Sequence, residues 1–213
     1  MPIDEAELPP LTRDLPAPGV IVWQPKRGYR YGVEVYALAA FALGGGPVAT
    51  AIDLGCGSGV VGLLLASRGV RVTSVDREPR WVALARRNAG ESDFPVDVIE
   101  ADVRTWSGPR ADLVVTNPPW FPANEPVSPD PWRAASRAML HGDVRAFVEA
   151  GLRHAPRVCV VTRRERERDL VGLPLARRSR LGGEVVLIEV AEGRGPLVEE
   201  PLDLRAAYAL FGR

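Results

Sequence analysis

Two rhythms alternate along the chain. Short apolar runs at residues 50–54, 70–75, 96–99, 113–116 and 157–162 have the length and β-branched content of strands buried on both faces. Between them, residues 60–67, 79–88 and 144–154 space their apolar positions as helices do. Strand followed by helix, repeated, means crossovers between parallel strands with helices on both faces of the sheet. The predicted fold class is therefore α/β, doubly wound and mostly parallel. Residues 184–190 and 206–211 break the rhythm: they read as two strands with only a loop between them, which predicts an antiparallel C-terminal strand pair. Ahead of the alternating region, Val20-Ile21-Val22-Trp23 reads as a strand, Lys26-Arg27-Gly28 as a turn and Tyr29-Arg30-Tyr31 as a return strand, giving a small hairpin. A buried helix is expected over residues 33–43, stopped by Gly44-Gly45-Gly46-Pro47.

Composition narrows this picture. A chain of 213 residues, 46% apolar and 25% charged, suits one globular domain with a proper core. Lys+Arg and Asp+Glu are equal at 27, which excludes a protein that holds nucleic acid by bulk charge, although a local basic patch remains open. Pro2, Pro9, Pro10, Pro16 and Pro18 with four acids point to a mobile tail over residues 1–18. The hairpin and helix then occupy 19–47 and the main domain 48–213. Cys56 and Cys159 lie outside any CxxC or Cys/His cluster, so neither a disulfide framework nor a metal site is expected. A cytoplasmic protein with no membrane partner is expected too, because no apolar run approaches the ~20 residues that span a bilayer.

The chemistry begins at Asp53-Leu54-Gly55-Cys56-Gly57-Ser58-Gly59, between the first strand and first helix of the alternating region. Glycines there let the backbone turn sharply and approach a ligand. The spacing is G-x-G-x-G after an acid, not the G-x-G-x-x-G of dinucleotide sites. Asp76 ends the next strand, where a carboxylate can accept both hydroxyls of a ribose, and Asp102 ends the third, in position to meet an adenine amino group. Each acid alone also suits an ordinary turn; three at successive strand ends form a nucleoside-binding edge. Cys56 is read as a small buried filler.

Asn117-Pro118-Pro119-Trp120 ends the fourth strand on the same edge. Each proline removes a backbone N–H and holds the segment extended, so it presents acceptors and no donors. An amino group on a ring or amide is a poor nucleophile because its lone pair is delocalised. Acceptors at the Asn117 side chain and the Pro118 carbonyl favour a pyramidal nitrogen whose lone pair is free to attack. Positioning and electrostatics then carry the rate. Trp120 offers a flat face for a planar substrate.

Together these motifs resemble the S-adenosylmethionine (SAM) site of class I methyltransferases, which have a Rossmann-like sheet, and the N-P-P-aromatic motif of those that methylate amino groups. The resemblance implies that Gly55, Gly57 and Gly59 pass close to the methionine end of SAM. By it, Asp53 helps hold the amino group, Asp76 takes the ribose, and Asp102 with the Val103 backbone takes the adenine. Gln24-Pro25-Lys26-Arg27-Gly28-Tyr29-Arg30-Tyr31-Gly32 and Ser128-Pro129-Asp130-Pro131-Trp132-Arg133 with Arg137 are similar to segments of the bacterial valine-tRNA adenine-N6 methyltransferases. That likeness runs from about residue 24 to about residue 140, and Glu34 stands where the family commonly has Asp. It implies that Arg30 and Tyr31 fold over the methionine end, that Trp120, Arg133 and Arg137 hold the substrate, and that the substrate is RNA, tRNA foremost, modified next to the anticodon; the sequence leaves the oligomeric state open, with a monomer favoured. Methylation of a protein glutamine amide, of another RNA base amino group or of a small molecule would use the same four residues. Arg163, Arg164, Arg166, Arg168, Arg177, Arg178 and Arg180, interleaved with Glu165, Glu167 and Asp169, read first as a solvated helix face and second as a phosphate-tracking surface. His141 and His154 are read as structural.

Overall fold

The computed structural model describes residues 8–28, 30–118, 144–193 and 195–213. Its strands are β1 (Leu11–Ala17), β2 (Val20–Pro25), β3 (Thr50–Leu54), β4 (Arg71–Asp76), β5 (Val96–Glu100), β6 (Leu113–Thr116), β7 (Arg157–Arg163), β8 (Leu175–Arg180), β9 (Val185–Ala191) and β10 (Val198–Glu199). Its helices are α1 (Glu34–Gly44), α2 (Val60–Ala66), α3 (Pro79–Glu91), α4 (Val144–Leu152) and α5 (Leu204–Leu210), with a 3-10 helix at Arg164–Leu170. Among the described residues, eight strands form one sheet in the order β5, β4, β3, β6, β7, β9, β8, β10. Strands β3 to β7 are mutually parallel, and β9 runs antiparallel to both β7 and β8.

Continuous apolar strands serve two cores at once because successive side chains point to opposite faces. Leu113 and Val115 join α1 and α2 on one face, whereas Val114 joins Val144, Phe147 and Val148 of α4 on the other. The β7 strand divides likewise, Cys159 and Val161 against Val158 and Val160. Helix α1 is apolar nearly all round and accordingly buried, packed between the sheet, α2 and α5. A third, small cluster joins Trp81 and Leu84 of α3 to Leu11 and Trp23 of the hairpin. Among the described residues, no helix is long and apolar enough to cross a membrane.

Three sequence expectations need correction. Leu11–Ala17 is no mobile tail: it is the partner of β2, antiparallel from Leu11↔Pro25 to Ala17↔Val20. Its prolines are tolerated because the ladder is irregular between Asp14 and Ala17, where Pro16 sits, and because Pro10 contributes a carbonyl, accepting from Lys26 N–H at 2.9 Å. Residues 1–7 of that tail lie outside the described residues. The hairpin's second strand is therefore β1, and Arg30 and Tyr31 are not in a strand; Tyr29 lies outside the described residues. Finally, the antiparallel C-terminal pair exists but is β8 with β9, and residues 206–211 fall largely within helix α5. Asp203 starts that helix by accepting from Arg205 and Ala206 N–H at 2.9 and 3.1 Å.

Candidate active site

Sheet register fixes what shares the carboxyl edge of the parallel strands. Leu54 lies opposite Val75 of β4 and Thr116 of β6, so one step further Gly55, Asp76 and Asn117 leave the sheet abreast. Asp76 in turn pairs with Glu100 of β5, two residues before Asp102. The Thr116 hydroxyl donates to Leu54 O at 2.8 Å, tying the ends of β6 and β3 together.

The loop after β3 needs its glycines. Gly55, Gly57 and Gly59 have φ of 71°, 54° and 80°, the left-handed region that side-chain-bearing residues avoid. Gly55 and Cys56 N–H both donate to Val75 O, at 2.8 and 3.1 Å, which folds the loop across the end of β4. A Cβ at Gly57 would meet nothing within 4 Å, so the outer side of the loop backbone is open to a ligand, whereas one at Gly59 would approach Ala85 Cβ at 3.3 Å.

Two acids support this loop from inside. Asp53 is 2% exposed and its Oδ2 accepts from Gly62 N–H of α2 at 3.0 Å. Burial, with the nearby Asp76 charge adding to it, pushes its carboxyl up to about 7. Asp76 is 1% exposed; its Oδ2 accepts from Gly57 N–H and its Oδ1 from Glu78 N–H, both at 2.9 Å. Burial raises it as well, and those backbone N–H groups oppose the rise. Cys56 is buried, and burial beside the two acids raises its thiol far above the reactive range, consistent with a filler.

At the third strand end, Asp102 has a different setting. Arg104 Nε donates to its Oδ1 at 2.9 Å, and Arg77 lies 3.7 Å from its Oδ2. The Arg104 hydrogen bonds hold the Asp102 carboxyl down at about 2. Val103 beside it is buried.

Asn117 is half-buried and Pro118 buried at the end of β6. Pro119, Trp120, Arg133, Arg137 and His141 lie outside the described residues. Arg30 is tied to the hairpin: it donates to Pro25 O at 3.1 Å and pairs with Asp14 at 3.2 Å. Tyr31 N–H donates to Gln24 Oε1 at 3.2 Å. His154 is buried against the Trp106 ring, with centroids 4.8 Å apart, in keeping with a structural role.

The arginine stretch is not one helix face. Only Arg164–Leu170 is helical, and Arg177, Arg178 and Arg180 lie on β8. Arg177 is buried on Glu189 at 2.7 Å, and Arg178 pairs with Glu167 at 2.7 Å and with Glu199. Arg163 ends β7 on the carboxyl edge and Arg164 follows it.

Sequence reasoning missed Asn88, wholly buried on α3 with its amide on the glycine loop and on β2. A poor helix former inside a helix rich in Ala and Arg was the available signal. Arg104, clamping Asp102 two residues away, carried no periodic signal.

An all-parallel dinucleotide sheet has no counterpart of β9, the antiparallel strand set between β7 and β8; this order, with its loop and acids, defines the class I methyltransferase fold. Residues 43–134 match the family model described as the methyltransferase small domain. The chain is 35% identical over 116 residues to the tRNA1(Val) (adenine(37)-N6)-methyltransferase of Aeromonas hydrophila, covering 51% of this chain and 47% of that protein. It is 36% identical over 99 residues to the release factor glutamine methyltransferase of Geobacter sulfurreducens, covering 44% and 35%. The chain thus matches about half or less of the length of these curated relatives. Its fold is similar to that of the Pyrococcus abyssi tRNA (uracil-54, C5)-methyltransferase in complex with S-adenosyl-L-homocysteine, with a TM-score of 0.59 at 18% identity over 85% of this chain and 44% of that one.

Proposed function

We propose that this chain is a SAM-dependent methyltransferase acting on the exocyclic N6 amino group of an adenine in RNA, tRNA foremost. The observation that carries this reading is the register that sets Asn117-Pro118 abreast of Gly55 and Asp76. The site suits SAM by its own features: an open backbone face at Gly57, and buried carboxylates beneath the loop. When bound, SAM supplies an electrophilic methyl group on a sulfonium. Gly55 and Gly57 would flank its methionine end, Asp76 would take the ribose hydroxyls on lone pairs left by Gly57 and Glu78 N–H once its buried carboxylate is uncovered, and Asp102 with the Val103 backbone would meet the adenine once Arg104 yields. Asn117 Oδ1 and the Pro118 carbonyl accept the two N–H bonds of the target nitrogen and aim its lone pair at the methyl carbon. Transfer would form the N–C bond at the expense of the methyl group's bond to sulfur, with one proton passing from the nitrogen to solvent. No charged base is needed before transfer, so these acceptors act by placement. In the same reading Trp120 stacks on the target base, and Arg133 and Arg137 hold neighbouring phosphates.

A glutamine amide presents the same planar nitrogen, and the likeness to a release factor glutamine methyltransferase favours that acceptor as a second reading. Nucleoside mass spectrometry on tRNA and rRNA from cells with and without the gene separates the two. Loss of N6-methyladenosine from the tRNA fraction supports the adenine reading. Unchanged RNA with a protein losing methylated glutamine moves the assignment to the amide. In the purified protein, Asn117→Ala is expected to lower kcat by about 10²-fold or more with RNA affinity nearly unchanged, as for an interaction made only in the transition state; near-normal turnover at saturating SAM would remove Asn117 from the mechanism.

A further inference from the structure

Helix α3 does more than cover the sheet. Among the described residues strand β2 pairs with β1 on one side only, and its other edge would expose the backbone groups of Gly19, Ile21 and Trp23. The end of α3 and the residues after it take all three. Gly19 O accepts from Asp93 N–H at 2.9 Å. Ile21 N–H donates to the Ser92 hydroxyl at 3.0 Å. Trp23 N–H donates to Asn88 Oδ1 at 2.8 Å, and Trp23 O accepts from Asn88 Nδ2 at 3.1 Å, so the Asn88 amide acts as a missing strand partner. Trp23 is fixed further by its indole N–H on Glu91, at 2.7 Å, and by the Arg87 guanidinium 4.4 Å over its ring.

Of these three contacts one has a second end. The remaining Nδ2 hydrogen of Asn88 goes to Ser58 O at 2.8 Å. Ser58 lies between Gly57, whose N–H is held by Asp76, and Gly59, which starts α2. A fully buried primary amide with both hydrogens used has no freedom to serve one partner without the other. The same hairpin also carries the chain that leads into α1: Gln24 accepts from Tyr31 N–H, and Arg30 pairs with Asp14 of β1.

We propose that Asn88 is a positioning residue that couples occupancy of the glycine loop to docking of the N-terminal hairpin, and with it to the placement of Arg30 and Tyr31. The inference rests on the loop being the SAM site. Linkage then works in both directions: SAM on the loop tightens the hairpin, and a loosened hairpin weakens SAM.

Hydrogen exchange on the full-length protein tests this without any variant. With saturating SAM, the Ile21 and Trp23 amides are expected to exchange about tenfold more slowly than without it, a coupling of ordinary size. Unchanged exchange at these amides in SAM-bound protein would overturn the proposal while leaving SAM binding intact, whereas calorimetry showing no SAM binding at all would overturn the functional reading first. In Asn88→Ala, SAM should slow exchange in residues 55–59 but no longer at Ile21. Asn88→Asp, which keeps the acceptor for Trp23 N–H and loses both donors, should behave as the alanine variant does. Ser92→Ala is the control: it loosens the hairpin in free protein, yet SAM still slows the Trp23 amide. Equal SAM protection of Ile21 in wild type and Asn88→Ala would reduce Asn88 to a packing residue.

Discussion

Asp53 and Asp76 sit on adjacent strands, both sealed from water, and the glycine loop is built over them. The motif that carries them is local, so the loop and its acids are legible in the sequence. Their surroundings are not: that Asp53 faces Gly62 depends on how α2 folds back on β3, and the Arg104 clamp on Asp102, although local, has no periodic signature. A measurable consequence follows for Asp53, whose carboxyl lies at about 7 in the folded protein, well above the usual carboxylate range. Between about pH 4 and 7 the unfolded chain releases this proton and the folded one keeps it, so the folded state binds more protons and loses stability as pH rises. The loss is complete above about 7. Asp53→Asn keeps an acceptor for Gly62 N–H and removes the charge. It is expected to raise Tm at pH 8 by on the order of 5 °C and to leave Tm at pH 4 nearly unchanged. Thermal unfolding at the two pH values checks this. A variant less stable at pH 8 than the wild type would mean that the ionised carboxylate holds the loop favourably.

At the scale of elements, β3 to β7 and the helices between them are legible from short apolar-rich runs and helical spacing. The strands that the pattern hides share one physical trait: polar or proline-rich sequence that masks the alternation. Strand β1 hides its pattern behind prolines, and β8 hides its own because the inward position is Arg177. That arginine is stable inside because Glu189, unexposed on β9, accepts from it at 2.7 Å and from Arg157 Nη2 at 3.1 Å, with Glu200 at 2.9 Å on its other side. Both arginines also donate to carbonyls in the last turn of α1, Phe41 O at 2.7 Å and Ala42 O at 2.9 Å, the second shared with Gly45 N–H at 3.4 Å. Gly45, legible as a helix stop, has this second reason to be glycine: a Cβ there would lie 2.0 Å from Arg157 Nη2. One carboxylate thus joins α1 to three strands. Removing it leaves buried Arg157 without a carboxylate and Arg177 with Glu200 alone, at 2.9 Å, so Glu189→Ala is expected to cost about 3–5 kcal/mol. Urea unfolding measures this, and a loss below about 1 kcal/mol would mean that water replaces the carboxylate cheaply.

For the molecule as a whole, net charge is zero, so any RNA must be held by the local arrangement of arginines around the carboxyl edge. The structure sorts them. Arg177 and Arg178 are committed to carboxylates, and Arg166 pairs with Asp169 at 2.8 Å. Arg163 and Arg164 have no ion pair among the described residues. Since Thr116 of β6 pairs with Val160 of β7, Asn117 stands abreast of Val161, and Arg163 lies two residues further out on the neighbouring strand. By strand geometry that is about 7 Å along and about 5 Å across, within reach of the phosphates that flank a base placed at Asn117. A base stacked in a folded RNA must be taken from a loop or flipped out, and phosphate contacts then hold the opened backbone. Affinity for tRNA is therefore expected to fall with salt, at a log–log slope of about −0.7 for each phosphate contact on single-stranded RNA. Replacing Arg163 and Arg164 together by alanine should reduce the slope by about two contacts' share, roughly 1.4. Arg178→Ala should leave it unchanged, because that guanidinium is already paired. Titrations across a salt series decide the matter: a slope unaffected by the paired substitution would move the RNA path elsewhere on the edge, and an affinity flat from low to physiological salt would leave the amide acceptor as the better reading of the site.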